Sequence, residues 1–138
     1  MKLAEFEMSY LKKFTFESLV VTSGNRRAIQ TANKFARSFN AEPMTFAVWG
    51  SVGNGKTHLL GATCHEIKKH NPNVKISLAN VEKIDFSNLN CDMLVIDSVD
   101  IQLDSKQLRL GHLNLLIDRG ISVLLSSAIR PSDYLLGI

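Results

Sequence analysis

Gly50-Ser51-Val52-Gly53-Asn54-Gly55-Lys56-Thr57 is the stretch that decides the reading of this chain. It fits Gly-x-x-x-x-Gly-Lys-Ser/Thr, the Walker A phosphate loop, at every fixed position. Glycines let the backbone curl so that successive N–H groups point inward at phosphate oxygens, and a helix beginning near Lys56 adds its positive dipole end. Lys56 would reach the β- and γ-phosphates, and the Thr57 hydroxyl would hold Mg²⁺. The chemistry needs a strand before the loop and a helix after it. Thr45-Phe46-Ala47-Val48-Trp49 is a short run of strand-favouring residues ending at Gly50, and Lys56 to His70 places Leu59, Leu60, Thr63, Cys64 and Ile67 at helical spacing.

Outward from the loop the same alternation recurs. Ahead of it, Ala28, Ile29, Ala32, Phe35, Ala36 and Phe39 recur every three or four residues, which predicts a helix over about Asn25–Phe39, with Thr22, Ser23 and Asn25 supplying capping oxygens. After it, Val74–Leu78, Met93–Asp97 and Ile121–Leu125 read as strands. Leu103–Asp118 reads as a helix interrupted by Gly111 and ended by Gly120. Apolar strands without alternation, separated mostly by helices, predict an α/β sandwich of three layers around a central parallel sheet. Trp49 is expected in the core.

A second nucleotide element belongs at the end of an apolar strand, where a carboxylate can assist the metal, and Leu94-Val95-Ile96-Asp97 supplies it. The next residue is Ser98, where an ATPase of this kind carries an acid to polarise the attacking water. Serine is no base at neutral pH. Asp100 lies about 6–7 Å further along an extended chain, too far to stand in. Intrinsic hydrolysis is therefore expected to be weak or absent, and no catalytic residue is assigned.

Composition sets the outer bounds. A chain of 138 residues with 45% apolar and 21% charged side chains suits one folded core, without general disorder. No apolar stretch is long enough to span a bilayer, and Glu5 and Glu7 break the opening residues, so neither a membrane span nor a signal peptide is expected, and the protein should be cytoplasmic. Cys64 and Cys91 read as buried thiols, and His58, His65, His70 and His112 make no compact ligand set. The first 40 residues carry seven basic against three acidic side chains. Without interleaved aromatics this reads as a solvated helix face, so direct DNA binding is expected to be weak or absent.

Four segments together resemble the nucleotide-binding domain of the DnaA/Hda-like AAA+ family. They are Phe14-Thr15-Phe16-Glu17-Ser18-Leu19-Val20-Val21 followed by Asn25; Gly53-Asn54-Gly55-Lys56-Thr57-His58-Leu59-Leu60; Leu94-Val95-Ile96-Asp97; and Ser126-Ser127-Ala128-Ile129-Arg130-Pro131. The resemblance implies a P-loop NTPase core that binds ATP or ADP with Mg²⁺. Gly50–Thr57 and His58 would form the phosphate side, Val20, Val21 and Asn25 the base side, Thr57 and Asp97 the metal site, and Ser126 or Ser127 the first sensor, since Ala128 replaces an Asp found in many relatives. Residues 1–22 would be a linker packing on the core and 23–138 the nucleotide-binding core.

Departures from the family narrow the expectation. Only Ala79–Asp92 fills the place of DnaA's long helical insertion, which resembles Hda, the regulator of DnaA. Nothing in Met1–Phe14 matches the Gln-Leu-x-Leu-Pro-Leu type of clamp-binding motif, so a sliding-clamp contact is not expected. The arginine finger and the lid of the family would fall beyond Ile138. The resemblance thus implies a regulator of bacterial replication initiation that contacts DnaA or another AAA+ subunit, with homo-oligomerisation open. The alternatives are a non-enzymatic module or decoy at an AAA+ interface, and a helicase-loader-type ATPase.

Overall fold

A computed structural model describes residues 15–17, 24–39, 42–50, 55–78, 89–97 and 110–128. Their elements are α1 (Arg26–Arg37), β1 (Thr45–Trp49), α2 (Lys56–His70), β2 (Ile76–Leu78), β3 (Met93–Ile96), α3 (Leu110–Asp118) and β4 (Ser122–Ser127). The four strands form one parallel sheet in the order β1-β4-β3-β2. This is the parallel α/β architecture read from the sequence. No helix among the described residues is long and apolar enough to cross a membrane.

Two apolar clusters divide between the faces of the sheet. Phe35, Ala36 and Phe39 of α1 and its exit, with Leu60, Cys64 and Ile67 of α2, cover Ile76, Met93, Val95 and Leu124. On the other face Leu113 and Leu116 of α3 cover Leu94, Ile96, Val123 and Leu125. Neighbouring strand residues thus alternate between the layers, although β3 and β4 are buried throughout and read as continuous apolar runs. The helix α2 packs beside α1 on this face of the sheet and is buried on most sides, including Thr63, whose hydroxyl donates to the Leu59 carbonyl at 2.7 Å.

Several element ends differ from the sequence expectation, each for a local reason. The helix α1 begins at Arg26, and Asn25 makes no side-chain capping bond, because its backbone (φ −116°, ψ −3°) is not in the extended region that capping requires. Residues 71–74 form a turn, with Val74 N–H donating to the Asn71 carbonyl at 3.0 Å, so β2 starts at Ile76. Gly111 does not interrupt α3, which runs through it. One helical glycine costs only about 1 kcal/mol relative to alanine, less than the packing of Leu113 and Leu116 returns. The strand β4 continues past Leu125 to Ser127, where the carbonyl accepts the Gly50 N–H at 3.2 Å.

Trp49 is not a core residue: it is 52% exposed. Among the described residues β1 has a neighbouring strand on one side only, and the α3 layer packs on β4. The residue ends the strand where that layer gives no cover.

The end of α3 is closed by Gly120 at φ +81°. Ile121 N–H donates to the Leu116 carbonyl and Gly120 N–H to the Ile117 carbonyl, both at 2.9 Å, which is the Schellman arrangement. A β-branched residue is strained at that φ. Gly120→Val is expected to lower stability by roughly 1–3 kcal/mol, read as a lower midpoint in urea denaturation.

Cys64 and Cys91 are both buried and unpaired, as expected. Burial pushes the Cys64 thiol up to about 12, against a smaller lowering from a backbone hydrogen bond. Burial also raises Cys91, with a hydrogen bond from Ser77 pulling the other way and the Asp92 charge adding to the rise. A thiol whose folded value is raised releases its proton first in the unfolded chain, at about pH 8.5. Stability therefore falls as pH climbs from there toward 12. Cys64→Ala is expected to flatten the alkaline limb of a stability-against-pH curve, and a thiol reagent at neutral pH should label Cys64 only after denaturation.

Candidate nucleotide site

The carboxyl ends of β1 and β3 and the first turn of α2 meet at one end of the sheet. In open parallel α/β sheets this is the end where ligands bind. Gly55 stands immediately before α2 with φ +77° and ψ 24°, a left-handed conformation suited to glycine, and its carbonyl accepts the Leu59 N–H at 2.9 Å to start the helix. The second fixed glycine of the loop motif therefore has a conformational reason. Gly50 leaves β1 held to β4 through Ser127.

Lys56 donates from its ammonium to the Gly50 carbonyl, at 2.6 Å. Thr57 donates its hydroxyl to Asp97 Oδ2 at 2.9 Å, bringing together two residues 40 positions apart. Asp97 follows the last residue of β3, and Ser126 lies on β4 one step beyond the Ile96–Leu125 pair. The Ser126 hydroxyl donates to Asp97 Oδ1, so both carboxylate oxygens accept a hydroxyl proton. The strands bring Lys56, Thr57, Asp97 and Ser126 together. Strand alternation puts Ser127 with Val123 and Leu125 on the α3 face, so the Asp97 contact is made by Ser126.

The donor set suits a magnesium ion. A hydroxyl and a carboxylate are hard oxygen ligands, and Mg²⁺ is held by one or two protein groups together with phosphate oxygens and water. No cluster of three or more His, Cys, Asp or Glu side chains gathers among the described residues. Thr57 and Asp97 would supply two oxygen ligands and leave the other positions of such an ion to phosphate oxygens and water.

The other sequence-expected residues fall in three groups. Ser51, Val52, Gly53, Asn54, Val20, Val21 and Ser98 lie outside the described residues. Asn25 stands half-buried at the start of α1. His58 sits on the first turn of α2, where its Nε2 lies 3.1 Å from the Thr15 carbonyl. This contact ties the segment ahead of α1 to the loop helix, and Phe16 reinforces it by packing against the Ala32, Val48 and Leu59 cluster. Sequence reading could not find Thr15, because a backbone carbonyl carries no residue-type signal.

A parallel sheet with a glycine-started helix, a lysine at its first turn and a threonine facing a strand-end aspartate defines a phosphate-loop α/β domain. The sequence profile of the bacterial DnaA ATPase domain matches residues 10–91, more than half of the chain, and the chain belongs to that family. The structure is similar to domain III of the replication initiation protein DnaA from Thermotoga maritima, with 26% identity and a TM-score of 0.66, over 86% of this chain and 57% of that one. Two further likenesses, at lower identity, concern the fold alone. One is DnaA from Aquifex aeolicus with AMPPCP bound (22% identity, TM-score 0.63, 91% of this chain and 50% of that one). The other is a DnaC helicase loader (19%, 0.61, 88% and 80%). The chain spans about half the length of these DnaA structures. The fold is thus that of the AAA+ ATPase domains of initiators and loaders, and the DnaA resemblance read from the motifs holds as family membership.

Proposed function

We propose that this protein binds ATP or ADP with Mg²⁺ at Gly50–Thr57 and regulates bacterial replication initiation, in the manner of Hda, through contact with DnaA or another AAA+ subunit. The observation that carries the binding reading is the pairing of the Thr57 hydroxyl with the Asp97 carboxylate at the start of α2, where Lys56 turns its ammonium to the Gly50 carbonyl. The short Ala79–Asp92 connection supports the Hda-like part. Residues 1–22 serve as the linker and 23–138 as the nucleotide-binding core. Val20, Val21 and Asn25 take the base side, and Gly50–Thr57 with His58 the phosphate side.

Hydrolysis by the isolated protein is weak or absent in this reading, because Ser98 follows Asp97 where a base would be needed. The same serine favours a second reading, a non-enzymatic module that occupies an AAA+ interface whether or not nucleotide is bound. Equilibrium titration with a fluorescent ADP analogue, with and without Mg²⁺, separates the two. Saturable, Mg²⁺-strengthened binding supports the first, and no binding removes it. Capture of purified DnaA with and without ADP tests the partner: a nucleotide-dependent complex supports regulation, and a nucleotide-independent one supports the interface module. Sustained phosphate release would instead indicate a loader-type ATPase.

A further inference from the structure

The geometry points to Ser126 as the positioning residue of the metal site: its hydroxyl holds the Asp97 carboxylate in the orientation that faces Thr57. This rests on the nucleotide-binding reading above. It goes beyond a sensing role at the strand end, because Ser126 donates to the carboxylate itself.

The case begins with the strand order. Because β4 lies between β1 and β3, Ser126 is flanked by Val48 on one side and by the end of β3 on the other. Its side chain belongs with Leu124 on the face covered by α2, and the residue is fully buried. From there the hydroxyl donates to Asp97 Oδ1, while Thr57 donates to Oδ2. A carboxylate on a short Asp side chain can turn about its terminal bond unless both oxygens are engaged. Two hydroxyl donors from different elements, one on β4 and one on α2, remove that freedom.

The two donors have different duties when a cation is present. A threonine hydroxyl has one proton and two acceptor lone pairs, so Thr57 can keep its proton on Asp97 while offering a lone pair to the metal. Its position then answers to the metal as well as to Asp97. Ser126 is fully buried within the sheet and donates to Asp97 from there. It therefore supplies the fixed point, as residues that orient metal ligands do in other sites. Deleting the hydroxyl would take this buried donor from Oδ1 and loosen the hold on the carboxylate.

The test measures metal dependence, not turnover. Binding of the fluorescent ADP analogue is followed in EDTA and across a Mg²⁺ titration for wild type, Ser126→Ala, Ser126→Thr and Ser122→Ala. Manganese binding to the ADP complex is read independently by electron paramagnetic resonance. With each protein's ADP binding in EDTA as its own reference, Ser126→Ala is expected to raise the half-saturating Mg²⁺ by about 10- to 100-fold, the usual effect of losing a group that orients a metal ligand. Ser126→Thr keeps a hydroxyl and should restore the wild-type titration. Ser122, on the same strand, accepts the Met44 N–H at 3.2 Å far from Asp97, so Ser122→Ala controls for strand damage and should titrate like wild type. A Ser126→Ala protein with the wild-type Mg²⁺ and Mn²⁺ response overturns the inference while leaving nucleotide binding intact. Wild type that binds no ADP under any condition overturns both. Should Ser126→Ala not fold, Ser126→Cys takes its place, with a Mg²⁺ requirement above wild type supporting the inference and an unchanged one overturning it.

Discussion

Lys56→Ala is expected to weaken ADP binding by at least about 100-fold, the equivalent of roughly 3 kcal/mol or two charge-assisted hydrogen bonds. The lysine is the one cationic residue in the Gly50–Thr57 sequence, and in the structure its ammonium donates to the Gly50 carbonyl at 2.6 Å. A polyphosphate entering the loop would compete for that ammonium with acceptors carrying full negative charge, which form stronger bonds than a neutral carbonyl. Alanine removes the cation and leaves Gly55 and the start of α2 unaltered, so the fold should persist. Parallel titration of the two proteins with the fluorescent ADP analogue, with circular dichroism on each, checks both halves. Equal affinity would remove the nucleotide-binding function.

The second large effect lies in the core. Leu124→Ala is expected to lower folding stability by roughly 2–5 kcal/mol, because the residue is fully buried and its removal leaves a cavity as well as losing transfer energy. Leu124 sits on β4, which is hydrogen-bonded to a strand on each side, and packs in the cluster built by Phe35, Leu60, Ile67 and Met93. A domain of this size commonly has about 5–15 kcal/mol in total, so the loss is a large share. Met44→Ala, at a position 42% exposed, should change stability by no more than about 0.5 kcal/mol. Urea denaturation of both variants against wild type gives the comparison. Similar midpoints for the two would contradict the packing described.

Much of the fold was legible because its signals are local. The helix α2 begins and ends at the residues that apolar spacing and the loop motif indicate, Lys56 and His70. Thr45–Trp49 is a strand as read. Where the reading failed, distant partners decide. Trp49 carries the composition of a core residue, yet it is exposed because the α3 layer packs on β4. Gly111 carries the signal of a helix break, yet contacts made by Leu113 and Leu116 with β3 and β4 outweigh it. Asn25 has the right side chain to cap α1, but its backbone angles prevent the bond.

The candidate site divides along the same line. Lys56, Thr57 and Asp97 could be named from the chain alone, because their chemistry depends on residue type and on spacing within a single loop or strand end. Which serine accompanies Asp97 could not, since Ser126 and Ser127 are equivalent as letters and differ only in the face of β4 they occupy. Sequence by itself determined the order of the described strands and helices and the family, both carried by the types and spacing of neighbouring residues. Tertiary structure decided that β4 inserts between β1 and β3, and with it the pairing of Ser126 with Asp97 and of Thr57 across 40 residues. The physical reason is that a hydrogen bond between side chains depends on separation in space, and in a parallel sheet that separation is set by strand order and register.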